Sequence, residues 1–237
     1  MARLDDLVEF YRLLERVEER CGGKRRLSEC DGRMEWPKRG IYFFFEEGEL
    51  RTHSGLGPRV TRVGTHALTT TSKTTLWNRL GQHRGTAKSM GGNHRGSIFR
   101  LLVGSALRKR NSIDGLDSWG LGNDPGKAAA QLGICRDDVK QLEASLEVTV
   151  SKVIGSMPFL WLEINDVPSP TSQRGYLERN AIALLSNLGK PASDPPSNAW
   201  LGHDSDRGRV RESGLWNNNH VEENYDPAFL IHLKHML

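Results

Sequence analysis

The stretch Arg39–Leu50, RGIYFFFEEGEL, constrains the fold of this 237-residue chain more than any other. Five consecutive apolar or aromatic residues, followed at once by EEGE, predict a buried strand that runs into a turn. Tyr42 lies within this strand, and a buried phenol needs a hydrogen-bond partner. The fold must therefore supply a partner for the Tyr42 hydroxyl group.

The segments around this strand predict an α+β fold. A second strand at about 60–68 would pair with the first as an antiparallel hairpin, and PFLWLEI at 158–164 predicts a third strand. Apolar residues recur at helical spacing in several other segments. The predicted helices span residues 4–20, 72–84, 97–110, 136–156 and 172–188, with a short one near the C-terminus.

Composition is that of an ordinary globular protein and excludes several classes. No apolar run approaches the roughly 18 residues that a membrane span needs, and the first 20 residues lack the apolar core of a secretory signal. The three cysteines are odd in number and widely spaced, which favours a reducing compartment. We therefore expect a cytoplasmic protein without a membrane partner.

Charge is distributed very unevenly along the chain. Residues 51–110 contain no Asp or Glu but 12 Lys or Arg and 4 His. The chain has 33 basic and 29 acidic residues, so 33 − 12 leaves 21 basic against 29 acidic residues elsewhere. A solvated face is the simpler explanation of a short charge run. Sixty residues without a carboxylate favour a polyanionic partner, and hence a nucleic acid.

Two predicted helices place ionisable groups on faces that should be buried. In helix 72–84, Arg79 and His83 share a face with Leu76 and Leu80. In helix 172–188, Glu178 falls in an apolar row. Arg79 and His83 could simply be a rim arginine and a core histidine, and Arg79 could pair with Glu178. Alternatively Glu178 holds Mg²⁺, which usually takes one or two protein carboxylates.

These residues, taken in order, resemble the GIY-YIG nucleases. GIY stands at Gly40–Tyr42, and RVG at Arg62–Gly64 takes the place of the second motif, with Arg62 replacing its tyrosine. Arg79 in LWNRLGQH matches the family arginine, and His83 matches a histidine of some restriction enzymes in the family. Glu178 in YLERNAIALL matches the metal-binding glutamate, and Asn198 in PPSN matches a later asparagine.

The resemblance implies a fold and a chemistry. It implies a small three-stranded antiparallel sheet flanked by helices at 39–200, interrupted by a helical insertion at about 87–157. An N-terminal helix and linker at 1–38 and an extension at 201–237 would be additions. Tyr42 would activate the attacking water, with His83 as a proton acceptor and Arg62 nearby.

The same resemblance implies how the other groups would act. Arg79 would bind the scissile phosphate, Asn198 would orient groups, and Glu178 would hold one Mg²⁺ or Mn²⁺ ion. Two further segments are candidates for DNA contacts: the Gly-rich basic loop and its neighbours, and the cluster WNNNH. Each could instead be a plain loop or turn. The candidate contact residues are Arg84, Lys88, His94, Arg95, Arg100, Asn217, Asn218 and His220.

We therefore expect a metal-dependent DNA endonuclease of a restriction or defence type. A non-catalytic nucleic-acid-binding module and an RNA-cleaving nuclease stay open as alternatives. Because one site with one metal cuts one strand, we also expect a homodimer, joined through residues 4–20 or the insertion at 87–157.

Overall fold

A computed structural model describes residues 3–237, and it confirms the predicted α+β fold. In the described chain the helices are α1 (Arg3–Cys21), α2 (Leu76–Arg84), α3 (Ile98–Arg110), α4 (Pro125–Leu132), α5 (Arg136–Ser156), α6 (Gln173–Leu185), α7 (Gly208–Ser213) and α8 (Ala228–His235). The strands are β1 (Arg25–Arg26), β2 (Gly40–Leu50), β3 (Pro58–Gly64) and β4 (Pro158–Glu163). They form one antiparallel sheet in the order β1-β4-β2-β3. The three predicted strands are present, and the two-residue β1 is an addition.

Strand β2 is an apolar run without alternation because both of its faces are covered. Side chains alternate between the two faces of a strand, and Tyr42 and Phe44 belong to one core cluster whereas Phe43 and Phe45 belong to another. All four have 3% exposure or less. Tyr42, near the start of β2, is therefore held in a strand that is packed on both faces.

Helices α1, α6 and α8 cover the Phe43 face. The Phe10 ring of α1 lies 6.0 Å from the Phe43 ring and 6.2 Å from the Phe229 ring of α8. The predicted apolar stripe of α1 is thus used inside its own chain, where burial of each large side chain contributes about 1.5–3 kcal/mol. The division at 38 and 200 stays a prediction, although packing joins these segments in one core.

Helices α2, α3 and α5 cover the opposite face. Phe44 packs against Phe99 of α3 and Phe159 of β4, with ring centroids 5.4 and 5.3 Å apart. Ile154 and Val150 of α5 belong to the same cluster. The predicted insertion at 87–157 therefore contributes α3 and α5 to one of the two layers on the sheet.

Three segments contain regular elements that were not predicted. The linker at 21–38 carries β1, and its Trp36 stacks on Trp77 with ring centroids 5.0 Å apart. The loop before α5 contains α4, which begins after an Asp124 cap and ends at Gly133 in the left-handed conformation. The extension contains α7. Contacts distant in sequence order the predicted linker, and a local pattern carries no information on such contacts. No helix in residues 3–237 is long and apolar enough to cross a membrane.

Candidate active site

A cavity of about 560 Å³ opens at the end of β3. Its walls come from the end of β3 and the loop that follows it, from α2, from the start of α3, from α6 and from the segment after α7. The lining residues used below are Arg62, Thr65, His66, Arg79, Glu178 and Asn217. The structure thus brings three of the predicted catalytic residues, Arg62, Arg79 and Glu178, to one pocket.

The Tyr42 hydroxyl finds its partner in His83. Tyr42 Oη lies 2.8 Å from His83 Nε2, and His83 Nδ1 lies 2.7 Å from Ser97 Oγ. Tyr42 and His83 are fully buried. Burial holds the pKa of His83 well below its ordinary value, and the nearby Arg79 lowers it further, so the imidazole is neutral. In the tautomer with its proton on Nδ1, Nε2 accepts the phenol hydrogen bond.

Helix α2 presents His83 because its sequence fixes where the helix begins. The Thr75 side chain accepts from the Asn78 amide at 3.2 Å, while the Asn78 side chain accepts from the Thr75 amide at 3.0 Å. This reciprocal pair is a capping box. Leu76, Leu80 and His83 then fall on the buried face.

Glycines make room for Tyr42 and for the pairing of β2. Tyr42 and Gly64 are partners across β2 and β3. A Cβ atom on Gly64 would lie 2.4 Å from Tyr42 Oη and 2.5 Å from its Cζ, far inside van der Waals contact. A Cβ atom on Gly40 would lie 2.5 Å from the Leu162 carbonyl oxygen. Both motif glycines are therefore required by close approach.

Arg62 lies between the phenol and the pocket. The residue is 4% exposed, its Nη1 donates to the Trp216 carbonyl, and its guanidinium carbon lies 4.6 Å from the Phe99 ring centroid. Burial lowers the pKa of Arg62, whereas the adjacent Tyr42 favours its charged form. Its Nε has no hydrogen-bond partner in the described chain. Arg62 thus brings a positive charge and an unused donor to the site.

Glu178 is half-buried at the edge of the apolar face of α6. Its Oε1 accepts from the Thr65 amide at 3.0 Å. Burial raises the pKa of Glu178, and the charge of Arg62 is the largest influence that opposes this increase. Arg79 is not its ion-pair partner, since no cation lies within 4.0 Å of Glu178 in residues 3–237.

Arg79 is partly exposed on the pocket wall. Its Nη1 donates to Gln82 Oε1 at 2.8 Å and to the Gly96 carbonyl at 3.2 Å. These are neutral acceptors, so its charge is available to an anion in the pocket.

Asn198 does not lie in this site. It is exposed, and the neighbouring Ser197 donates to Glu49 at 2.5 Å. Glu49 is seven residues along β2 from Tyr42, which at about 3.3 Å per residue is roughly 23 Å. Asn217 lines the pocket instead, and its side chain exchanges hydrogen bonds of 3.1 and 2.8 Å with the Val63 backbone.

Three predicted DNA contacts are buried in ion pairs, and this part of the prediction is corrected. Arg95 pairs with Glu143 at 2.6 Å, and Arg100 pairs with Glu147, which also lies 2.9 Å from His94 Nδ1. The side chains of His94, Arg95 and Arg100 are at most 2% exposed. They tie the Gly-rich loop and α3 to α5, so they are not available to a phosphate.

The other predicted contacts stay predictions. Lys88 is exposed on the loop after α2, and Arg84 is half-buried at the end of α2. Asn218 and His220 line the pocket, and His220 Nδ1 lies 2.8 Å from Glu223.

Sequence reasoning missed Thr65 and His66. They directly follow the RVG motif at the end of β3, and the position of a polar pair at a strand end beside a motif is the signal that could have identified them. Thr65 holds Glu178 through its amide, and its hydroxyl group donates to the Gly40 carbonyl at 2.8 Å.

Comparison with known families agrees with this geometry. The family model described as the GIY-YIG domain matches residues 1–237. Neither a comparison with curated proteins nor one with solved structures gives a match. GIY-YIG domains are nuclease domains, and the match extends over both the motif residues and the layers that hold them. The chain therefore belongs to the GIY-YIG domain family.

Proposed function

We propose that this protein is a divalent-metal-dependent endonuclease that hydrolyses phosphodiester bonds in DNA. One observation carries the proposal: Arg62, Arg79 and Glu178 line one pocket, and Tyr42, which is hydrogen-bonded to His83, lies next to Arg62. Hydrolysis of a phosphodiester needs a proton acceptor, a cation on the phosphate and neutralisation of developing charge, and these residues provide such a set.

The phenol and the imidazole would move the proton of the attacking water. A neutral His83 can accept the Tyr42 proton at Nε2, and Tyr42 Oη can then accept a proton from water. Ser97 fixes the other ring nitrogen of His83. The positive charge of Arg62 stabilises negative charge on Oη, and Arg79 binds a phosphate oxygen.

The site fits a hard divalent ion. Glu178 Oε2 accepts no hydrogen bond from residues 3–237, although burial disfavours its charge, so the carboxylate lacks a counter-ion. Glu178 would hold Mg²⁺ or Mn²⁺, one ion per site, with water completing the shell. A bound ion supplies charge neutralisation at the leaving oxygen.

A cleavage assay on duplex DNA with Mg²⁺, with Mn²⁺ and with chelator tests this proposal. We expect Glu178→Ala to abolish cleavage while duplex binding is kept or becomes stronger, because a negative charge is removed. Glu19→Ala removes an equally charged exposed residue of α1 and should cleave normally. Full activity of Glu178→Ala, or cleavage that chelator leaves unchanged, contradicts the assignment.

The type of nucleic acid and the cellular role of the protein are further parts of the proposal. The replacement of the second motif tyrosine by Arg62 is the observation that favours a non-catalytic binding module, and binding without cleavage under every metal condition would establish it. Cleavage assays on single-stranded DNA, duplex DNA and RNA distinguish a DNA endonuclease from an RNA-cleaving nuclease. We place the protein in the cytoplasm, in a restriction or defence role.

A homodimer on DNA remains part of the proposal. The apolar stripe of α1 packs within its own chain, so the exposed surface of residues 87–157 is the better candidate for the contact. Sedimentation with and without duplex measures this. A monomer in both conditions, with nicked duplex as the product, would contradict it.

A further inference from the structure

His66 carries the clearest unexplained polar group of the pocket. The residue is 5% exposed, and it lines the cavity beside Arg62, Arg79 and Glu178. Neither of its ring nitrogens has a hydrogen-bond partner within 3.5 Å in the described chain, although the Lys38 backbone lies near enough to favour the charged form of the ring. Buried polar atoms are nearly always paired, and an unpaired one costs about 1–3 kcal/mol. The ring is therefore available to a group that enters the cavity.

The backbone around His66 is held from both sides. Thr65 precedes it and bonds to Glu178 through its amide. Ala67 follows it with φ of 55°, a left-handed conformation that an alanine rarely adopts. The carbonyl oxygens of His66 and Ala67 both accept from Arg174, which is fully buried and paired with Asp166. The ion pair of the buried Arg174 with Asp166 thus fixes the backbone that carries the imidazole.

The imidazole is neutral in this setting. Burial lowers the pKa of His66 to about 4, and the positive charge of Arg174 acts in the same direction. A neutral imidazole has one N–H donor and one acceptor nitrogen. In a cavity that also contains Arg62 and Arg79, the ligand that fits an N–H donor is an anionic oxygen, and a nucleic acid offers such oxygens on its phosphates.

We propose that His66 donates a hydrogen bond to a phosphate of the bound strand, and that Arg174 and Asp166 are positioning residues that act through its backbone. This rests on the proposed function for the nature of the ligand, but it concerns binding and not the cleavage step.

The test measures duplex binding in buffer that contains chelator and no metal, with the wild-type protein as the background, so that the proposed cleavage plays no part. We expect His66→Ala to raise the Kd for duplex DNA by about 3- to 10-fold, as for a lost hydrogen bond. His66→Asn retains an N–H donor and should recover part of the affinity. His235→Ala removes an exposed histidine of α8 and should bind as the background does.

A set of duplexes with one methylphosphonate, moved along the strand, identifies the phosphate. At the contacted position the modification should weaken binding of the background protein, and the same modification should have no further effect in His66→Ala. The affected position also shows whether the scissile phosphate or a neighbour is bound.

Asp166→Asn tests the positioning role with a variant that keeps Arg174. We expect it to reduce the position-specific methylphosphonate effect as His66→Ala does, and thermal unfolding verifies that it is folded. A purely structural role would lower the unfolding temperature but leave that position-specific effect intact.

The inference is overturned if His66→Ala binds as tightly as the background, or if every methylphosphonate effect survives in it. Absence of all binding to DNA and RNA overturns both proposals. If the wild-type protein never cleaves but shows the His66-dependent phosphate effect, the endonuclease proposal is wrong and this inference is supported.

Discussion

Single residues in this protein are placed by what each buried polar group needs. The phenol of Tyr42 requires a partner, and the structure supplies His83, which in turn contacts Ser97. The sequence predicted Tyr42 and His83 on separate elements, and the motif order placed them in one site. Ser97 could not be predicted, because its contact with His83 depends on the path of the loop between α2 and α3.

His83 makes a specific contribution to the pH dependence of stability. Its pKa is well below 6.5 in the folded chain and near 6.5 in the unfolded chain. As the pH falls below about 6.5, only the unfolded state takes up the proton, so the free energy of unfolding decreases. The contribution of His83 to the slope of the unfolding free energy against pH is at most about 1.4 kcal/mol per pH unit. We expect His83→Gln to remove this contribution between about pH 6.5 and 5.

Chemical denaturation at several pH values measures that slope. The comparison uses the slope and not the absolute stability, because His83→Gln also alters the bond to Tyr42. His66 titrates in the same direction and remains in both proteins. Identical slopes for wild type and variant would mean that His83 is charged in the folded state.

Asparagines and arginines show where residue-level prediction ends. Asn198 fitted the family order, yet Asn217 occupies the pocket, because spacing along the chain does not tell which loop returns to β3. Arg95 and Arg100 looked free because their carboxylate partners lie 48 and 47 residues further along the chain, on α5. Charge patterns near in sequence cannot reveal such partners.

At the scale of elements, the β2–β3 hairpin depends on Gly64, which leaves room for the Tyr42 side chain on the paired strand. Gly64→Ala would force a methyl group into the Tyr42 phenol, which is fixed against His83. We expect a loss of about 1–3 kcal/mol of stability, as for overpacked cores, together with loss of cleavage. Thermal unfolding and the cleavage assay measure both effects.

Gly81→Ala is the matched control for this prediction. Gly81 lies within α2, two residues from His83, and a Cβ atom there would meet nothing within 4 Å. Alanine is the better helix former, so this variant should gain about 0.5–1 kcal/mol and retain activity. An active Gly64→Ala protein would show that Tyr42 can move without consequence for the reaction.

Regular elements were predictable wherever local pattern decides them. Helices α3, α5 and α6 follow from their apolar periodicity, and β2 from its continuous apolar run. The short β1 could not be predicted, since its two residues form a strand only by pairing with Phe159 and Pro158 of β4, more than 130 positions away. Local patterns carry no information on such pairs.

At the scale of the whole molecule, the basic segment is partly neutralised. Of its 12 Lys and Arg residues, five lie within 4.0 Å of a carboxylate from outside the segment. They are Arg51, Arg59, Arg95, Arg100 and Arg110. Folding thus leaves seven of the twelve without a carboxylate partner, and one of these seven, Arg62, is buried.

The remaining cations predict a salt-dependent affinity. Duplex binding should weaken steeply between about 50 and 200 mM salt as counterions are released. Lys88→Gln removes an exposed cation near α2 and should reduce the slope of log K against log salt by about 0.9. Lys234→Gln removes an exposed cation of α8, which covers the opposite face of the sheet, and should leave the slope unchanged. Equal slopes for wild type and Lys88→Gln would exclude the loop from the phosphate contacts.

The hydrogen bonds between Val63 and Asn217 also have a consequence in time. These residues are 154 positions apart, and the later one completes a wall of the pocket. At about 5–20 residues per second, a ribosome needs roughly 8–30 s to add the intervening chain. During that interval the chain carries β2 and β3 without Asn217, so we expect the proposed nuclease to become competent only late in synthesis. An interrupted translation product that stops before Asn217 would therefore lack one wall of the pocket, and we expect it not to cleave nucleic acid.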